Sequence, residues 1–267
     1  MCLILFAYRQ HAEYPLLLIA NRDEFYARPT RDAHWWDEMP VFAGRDLEAG
    51  GTWLGINRQG RFAAVTNVRE AGGMSPGKKS RGALTSDFLS GNASAPEYLQ
   101  ALAPRDRDYA GFNLLLGDQQ GFWFYSNRDH GIRRIEPGVY GISNGSFDEP
   151  WPKLSSGKQE LCAMLNGEID AAELMEILTD HRIADDHELP QTGVSLDIER
   201  MLSSRFIRSP EYGTRACTVL TIDRHQRVDF SEQNFRDAEH PGDLQHETFT
   251  IEPAAGSGSA YFENRSR

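Results

Sequence analysis

Short apolar runs recur along this chain in pairs, each pair separated by turn chemistry, and this pattern restricts the fold more than any other feature. Residues 3–8 and 16–20 read as two buried strands joined by a turn at 11–15. Residues 52–57 and 61–67 flank Arg58-Gln59-Gly60, a hairpin with glycine where φ must be positive. Residues 112–117 and 122–127 flank a turn at 118–121, and 131–136 leads through Pro137-Gly138 into 139–144. Residues 216–223, 228–235 and 246–251 close the series. About ten strands, mostly in hairpins, predict antiparallel pairing.

Helical periodicity falls between these groups. Residues 82–89 and 95–102 repeat apolar positions at i, i+3 and i+4; 151–165 and 171–181 are longer, and 197–202 is a further short candidate. Two groups of hairpins with helices after and between them predict an α+β layered sandwich in one domain spanning 1–253. The segment 70–80 (EAGGMSPGKKS) is expected to be a flexible loop and a lid. Residues 254–267 have linker composition and are set apart as a flexible tail.

Composition narrows the function classes. Lys and Arg number 28 against 39 Asp and Glu, a net charge of −11, which argues against an electrostatic grip on nucleic acid. Three cysteines cannot all pair, so no disulfide framework is expected and a reducing compartment is. The run 3–7 has no Lys or Arg before it and ends at Arg9, unlike a secretion signal, and no stretch approaches about 18 apolar residues. The cytoplasm is the expected location. No pattern in the sequence speaks to oligomeric state.

The residues that could carry chemistry begin at Cys2. With Met1 removed, Cys2 has both a thiol and an α-amine, whose ordinary pKa of about 7.7–8.0 suits it to act as base for its own nucleophile. The other reading is a small hydrophobe opening a core strand. Asn21-Arg22-Asp23-Glu24 directly follows the second apolar run. If the first two strands pair, this segment comes to Cys2, where a cation could lower the thiol pKa and a carboxylate could orient an amine or a substrate; otherwise it is a solvated turn. Asn67 and Asn144 each follow a buried run and could stabilise an oxyanion, or simply tolerate a left-handed turn. Arg215 could bind a carboxylate or form a structural ion pair. Cys162 and Cys217 read as buried and inert. The Asp/His groups at 180–181 and 185–187 lack the frame of a metal site, and no metal is expected.

Taken in order, Cys2, Asn21-Arg22-Asp23-Glu24, Gly51-Thr52-Trp53-Leu54-Gly55, Thr66-Asn67-Val68-Arg69, Asn144 with Pro150-Trp151-Pro152-Lys153, and Pro210-Glu211-Tyr212-Gly213-Thr214-Arg215 resemble the NRDE family, also called the transport and Golgi organization protein 2 family. The likeness runs to about residue 251; the C-terminal extension is not a family feature. It implies an N-terminal-nucleophile hydrolase-like fold, a four-layer αββα sandwich of antiparallel sheets. Related enzymes, bile salt hydrolases and penicillin V acylases, cleave linear amides with a processed N-terminal cysteine. On that implication Cys2 is nucleophile and base, with Asn21, Arg22 and Asp23 around it. Asn67 and Asn144 are oxyanion or amine-positioning groups, and Glu24, Trp53 and Arg215 are candidates to touch substrate. Eukaryotic relatives are linked instead to haem trafficking and to lipid or acyl-CoA metabolism, which implies a non-catalytic carrier. The partner is thus a small-molecule substrate or an amphipathic ligand. No cofactor is expected, haem entering only as a ligand, and aromatic-rich segments with Trp35, Trp36, Trp53, Phe122 and Trp123 suit such a ligand.

Overall fold

The computed structural model describes residues 2–70 and 78–252. Most of the 70–80 segment and all of the 254–267 tail therefore lie outside the described residues. Six strands come first: β1 (Cys2–Tyr8), β2 (Leu16–Phe25), β3 (Thr30–Trp35), β4 (Val41–Asp46), β5 (Leu54–Asn57) and β6 (Phe62–Asn67). Helices α1 (Gly82–Ser90) and α2 (Ala95–Leu102) lead to β7 (Phe112–Asp118), β8 (Gly121–Ser126), β9 (Ile132–Ile135) and β10 (Gly138–Ile142). Helices α3 (Pro152–Met164), α4 (Ala171–Leu178) and α5 (Leu196–Leu202) precede β11 (Tyr212–Ile222), β12 (Arg227–Phe235) and β13 (Pro241–Thr250).

The strands form two antiparallel sheets, ordered β10-β1-β2-β11-β12-β13 and β3-β4-β5-β6-β7-β8-β9. Three apolar clusters show how they stack. Ile4, Phe6, Leu18 and Ala20 of the first sheet meet Phe42, Leu54, Phe62 and Phe124 of the second between the sheets. Leu3, Leu5, Leu17 and Ile19, on the opposite face of the same strands, pack against Leu154, Leu161, Leu174 and Leu178 of α3 and α4. Ala63, Val65, Leu114 and Leu116 pack against Leu84, Phe88 and Leu99 of α1 and α2. The result is the four-layer αββα sandwich. Because β1 and β2 are covered on both faces, β1 and the first half of β2, Leu16–Ala20, are near-continuously apolar rather than alternating. Each buried Leu or Phe contributes about 1.5–3 kcal/mol by leaving water.

The hairpin reading is right for β1–β2, β5–β6 and β7–β8, and Gly60 has φ of +74° in its turn. Two strands, β3 and β4, were not anticipated. β3 is a polar edge strand whose register slips between Arg31 and His34, and β4 is short, with Gly44, Arg45 and Asp46 following its apolar residues Val41–Ala43. Pro137-Gly138 does not close a hairpin: β9 pairs with β8 in one sheet and β10 with β1 in the other, so the turn carries the chain between layers. Among the described residues no helix is long and apolar enough to cross a membrane.

Candidate active site

The first two strands pair with Cys2 opposite Arg22 and Leu3 opposite Asn21. The polar tetrad is not a turn after β2 but its last part, because β11 pairs along it with Thr214 opposite Asp23 and Tyr212 opposite Phe25. Strand alternation then sorts the tetrad. Cys2, Arg22 and Glu24 share the face of Ile4 and Ala20, towards the second sheet, whereas Asn21 and Asp23 share the face of Leu3 and Ile19, towards α3 and α4.

On the inter-sheet face Cys2 is half-buried. Burial pushes its thiol pKa up, as does the Asp23 carboxylate, while the Arg22 guanidinium and the Asp23 backbone N–H pull it down. Arg22 is 5% exposed, donates from Nη1 to Thr30 Oγ1 at 2.8 Å, and approaches Asp46 Oδ2 at 3.5 Å. Its guanidinium carbon lies 4.1 Å from the centre of the Trp53 ring, a cation–π contact. Burial lowers the Arg22 pKa, and Glu24, Asp46 and Glu232 oppose that. Trp53 fits only because residue 44 is glycine: a Cβ there would stand 2.2 Å from Trp53 Cη2. Glu24 accepts the Phe25 N–H at 2.9 Å and pairs with Arg28 at 4.0 Å, so its carboxylate serves the strand end.

Asn67 and Asn144 are brought together across the sheets. Asn144, fully buried, donates from Nδ2 to the Asn67 carbonyl at 2.8 Å, and its own carbonyl accepts the Arg69 N–H at 2.7 Å. Ser143 Oγ donates to the Cys2 carbonyl at 3.1 Å, and the Ser143 carbonyl accepts from Thr66 Oγ1 at 2.6 Å. Asn113 Nδ2 donates to the Gly145 carbonyl at 2.8 Å. These bonds stitch the end of β10 to the ends of β6 and β7 beside the first residue of β1. Asn67 contributes through its backbone, and Asn144 has one amide N–H committed to it.

On the helical face Asn21 donates from Nδ2 to the carbonyls of Leu178 at 2.9 Å and Arg205 at 2.8 Å. Both amide protons are used, so Asn21 ties the sheet to the layer above it. Asp23 Oδ1 accepts from Thr214 Oγ1 at 2.8 Å. Burial pushes its carboxyl pKa up, with the Lys153 ammonium and the Thr214 hydroxyl opposing. Arg215 is not brought to Cys2. It donates from Nε to the Phe235 carbonyl and from Nη1 to the carbonyls of Phe25, Tyr26 and Arg28, pinning the chain after β2 at the register slip between Thr214 and Ala216.

Cys217 is buried as expected, but Cys162 is exposed. The buried positions of α3 are Lys153, Leu154, Gly157 and Leu161, and Cys162 lies one residue round from that stripe. No role for Ser143, Asp46, Thr214 or Lys153 is legible in the sequence, although the last two stand inside quoted motifs. Among the described residues no group of three or more His, Cys, Asp or Glu could hold a metal ion. A polar cleft of about 490 Å³, lined by Pro152, Lys153, Asp180, Arg182, Ser203 and Arg205, lies on the helical side. Neither Cys2 nor Arg22, Asp23 or Trp53 lines it.

Comparison with known proteins agrees with this architecture. An arginine-to-leucine variant of conjugated bile acid hydrolase from Clostridium perfringens superposes with a TM-score of 0.51 at 10% identity, covering 97% of this chain and 100% of that one. That likeness fixes the fold as the N-terminal-nucleophile hydrolase type. Transport and Golgi organization protein 2 homologs from Bos taurus and Homo sapiens are 34% and 32% identical to this chain. The alignments span 88% of this chain and 93% of the bovine protein, and 94% of this chain and 98% of the human one. The family model for Transport and Golgi organisation 2 matches residues 1–237, and the chain belongs to that family.

Proposed function

We propose that this chain is an N-terminal-nucleophile cysteine hydrolase acting on an amide C–N bond of a small molecule. The observation that carries this reading is the pairing of Cys2 with Arg22 in register, on the face towards the second sheet, with Asp23 next in line and Ser143 bonded to the Cys2 carbonyl. Once Met1 is removed, the α-amine of Cys2 takes the thiol proton. The sulfur then bonds to the amide carbon, Arg22 and backbone N–H groups opposing the charge that develops. Collapse breaks the C–N bond, the amine leaves with the proton, and the acyl group stays on sulfur as a thioester. Water adds to the thioester and releases a carboxylic acid and the thiol. Trp53 and Glu24 border the face that an acyl group would enter.

A second reading, a carrier that binds haem or another amphipathic ligand without turnover, is favoured by one observation: burial holds the Cys2 thiol up in pKa, against the needs of a nucleophile. Intact mass spectrometry of protein incubated with a panel of N-acyl amides separates the two. The hydrolase reading expects loss of Met1 and an acyl adduct on Cys2 that hydroxylamine removes and Cys2→Ala abolishes. Retention of Met1, with Cys2 no more alkylatable than Cys217, refutes it. Saturable haem binding unchanged in Cys2→Ala then supports the carrier.

A further inference from the structure

Of the residues of α5 only Glu199 and Leu202 are buried, while Leu196 and Ile198 stay exposed. A short helix that seals a carboxylate and leaves a leucine and an isoleucine in water is not placed by apolar burial alone. Its glutamate reaches Arg69, just after β6: Arg69 Nη1 donates to Glu199 Oε2 at 2.6 Å, and the two side chains are only 6% and 5% exposed. Glu199 Oε1 accepts the Thr192 N–H at 2.9 Å and the Thr192 hydroxyl at 2.6 Å, so both carboxylate oxygens are engaged. The Arg69 guanidinium carbon also lies 4.9 Å from the centre of the ring of Trp151, the residue before α3. A buried ion pair seldom stabilises more than the apolar pair that could replace it, but it constrains direction. The constraint here leads to Cys2. Arg69 lies beyond the last ladder pair of β6, Asn67 opposite Phe112. Its backbone N–H donates to the Asn144 carbonyl at 2.7 Å, and two residues earlier the Asn67 carbonyl accepts from Asn144 Nδ2 at 2.8 Å. One three-residue segment, 67–69, thus clamps Asn144 at both its backbone and its side chain, and the neighbouring Ser143 hydroxyl donates to the Cys2 carbonyl at 3.1 Å.

We propose that Glu199 is a positioning residue of the Cys2 site, acting through Arg69: the ion pair holds segment 67–69 in place, and that segment holds the Asn144 amide beside Cys2. For its purpose this rests on the hydrolase reading, in which Asn144 is an oxyanion or amine-positioning group; the mechanical coupling stands without it. It also accounts for a glutamate sealed on α5 where a leucine would pack at lower cost. The cost is visible at its partner, since burial pulls the Arg69 pKa down and Glu199 is the largest influence opposing that.

Hydrogen exchange read by nitrogen-15 NMR on the full chain tests the coupling. Glu199→Gln keeps the shape of the side chain and an acceptor for Thr192. In it the Arg69 backbone N–H and the Asn144 side-chain amide are expected to exchange about tenfold faster or more, the equivalent of one charge-assisted hydrogen bond lost. The Asn21 side-chain amide is the internal reference: it too is buried, bonded to the carbonyls of Leu178 and Arg205, and its rate should not change. Where the charge left buried keeps Glu199→Gln from folding, the double variant Arg69→Met/Glu199→Gln removes both charges, and the same acceleration at Asn144 is expected at a Tm close to the native one. Unchanged exchange at Asn144, or equal acceleration at Asn144 and Asn21, overturns the proposal. With an N-acyl amide the folded variant should form the Cys2 adduct more slowly by about the same factor. Iodoacetamide, whose reaction develops no oxyanion, should alkylate Cys2 at the native rate. An unchanged acylation rate, or equal slowing of both reactions, also overturns it. Failure of the hydrolase reading shows separately, as a retained Met1 or an absent adduct in the native chain, and moves no exchange rate.

Discussion

Replacing Arg22 by methionine separates a structural from a chemical role for the polar tetrad. The substitution keeps the apolar stem and removes the guanidinium, which loses a charge-assisted bond to Thr30, about 1.5–3 kcal/mol, and a cation–π contact with Trp53, about 0.5–2 kcal/mol. Against that stands the cost of burying the charge, which is large enough to pull the Arg22 pKa down despite three neighbouring carboxylates. Asp46 is not orphaned, because Arg28 holds it at 2.6 Å. The two sides nearly cancel, and the expected net loss is about 1 kcal/mol, or about 2–4 °C in Tm for a chain of this size. Thiol chemistry should respond far more. Burial raises the Cys2 pKa and Arg22 lowers it, so the variant's alkylation midpoint moves to higher pH and alkylation at a fixed pH below the midpoint slows. Pulsed iodoacetamide labelling with peptide mapping reads this, with exposed Cys162 as the internal standard whose rate must not change. A loss above about 3 kcal/mol with an unmoved Cys2 midpoint would show that Arg22 is a structural ion, and the reasoning fails.

Gly44→Val is expected to destabilise by at least about 1–3 kcal/mol and to shift tryptophan fluorescence, since any Cβ there collides with Trp53; an unaltered melt and spectrum would remove Trp53 from its place beneath Arg22. Glu232 is fully buried between the sheets, where its carboxylate oxygens accept from the Ala33 N–H at 3.0 Å, Asn234 at 3.2 Å and Thr218 at 3.3 Å. Burial pushes its carboxyl above the ordinary range, so the stability it contributes is full below its unfolded pKa and is lost as pH rises through the folded one. Glu232→Gln stays neutral throughout. Its Tm relative to the native chain should rise from near zero difference at about pH 4 to a positive difference at neutrality, and a flat or falling difference contradicts the assignment.

The legible part of the site is the hairpin. A tight turn in which the Arg9 N–H bonds the Pro15 carbonyl sets Tyr8 opposite Leu16, and counting back along two uninterrupted strands puts Cys2 opposite Arg22. The apolar runs of β1 and β2 are easy to read because both faces are covered. β3 is hard to read for the opposite reason: as an edge strand with a slipped register it buries little, so polar residues such as Arg31 and Asp32 are tolerated there. Nothing local says that β9 and β10 belong to different sheets, because a Pro-Gly turn serves a crossing as well as a hairpin. The bonds that Asn21 and Arg215 make are illegible in the same way. Their donors are consumed by carbonyls far along the chain, those of Leu178 and Arg205 for one and of Phe25 and Phe235 for the other, and no spacing in the sequence reveals such partners.

The tetrad Asn21-Arg22-Asp23-Glu24 is expensive where it stands. A strand covered on both faces favours Val, Ile and Leu, and its first half, Leu16–Ala20 in sequence LLLIA, obeys. The second half buries an amide, a guanidinium and a carboxyl in succession, and the pKa shifts of Arg22 and Asp23 both record the cost of taking charge out of water. Alternation gives that cost a use. It sends Arg22 to the inter-sheet face with Cys2 and Trp53, and Asp23 to the helical face with Thr214 and the Lys153 layer. A central strand is thus the one element that can present a cation to the thiol on one side and an anion on the other within two residues. At the first residue of β1 the two faces meet, so one residue can address both.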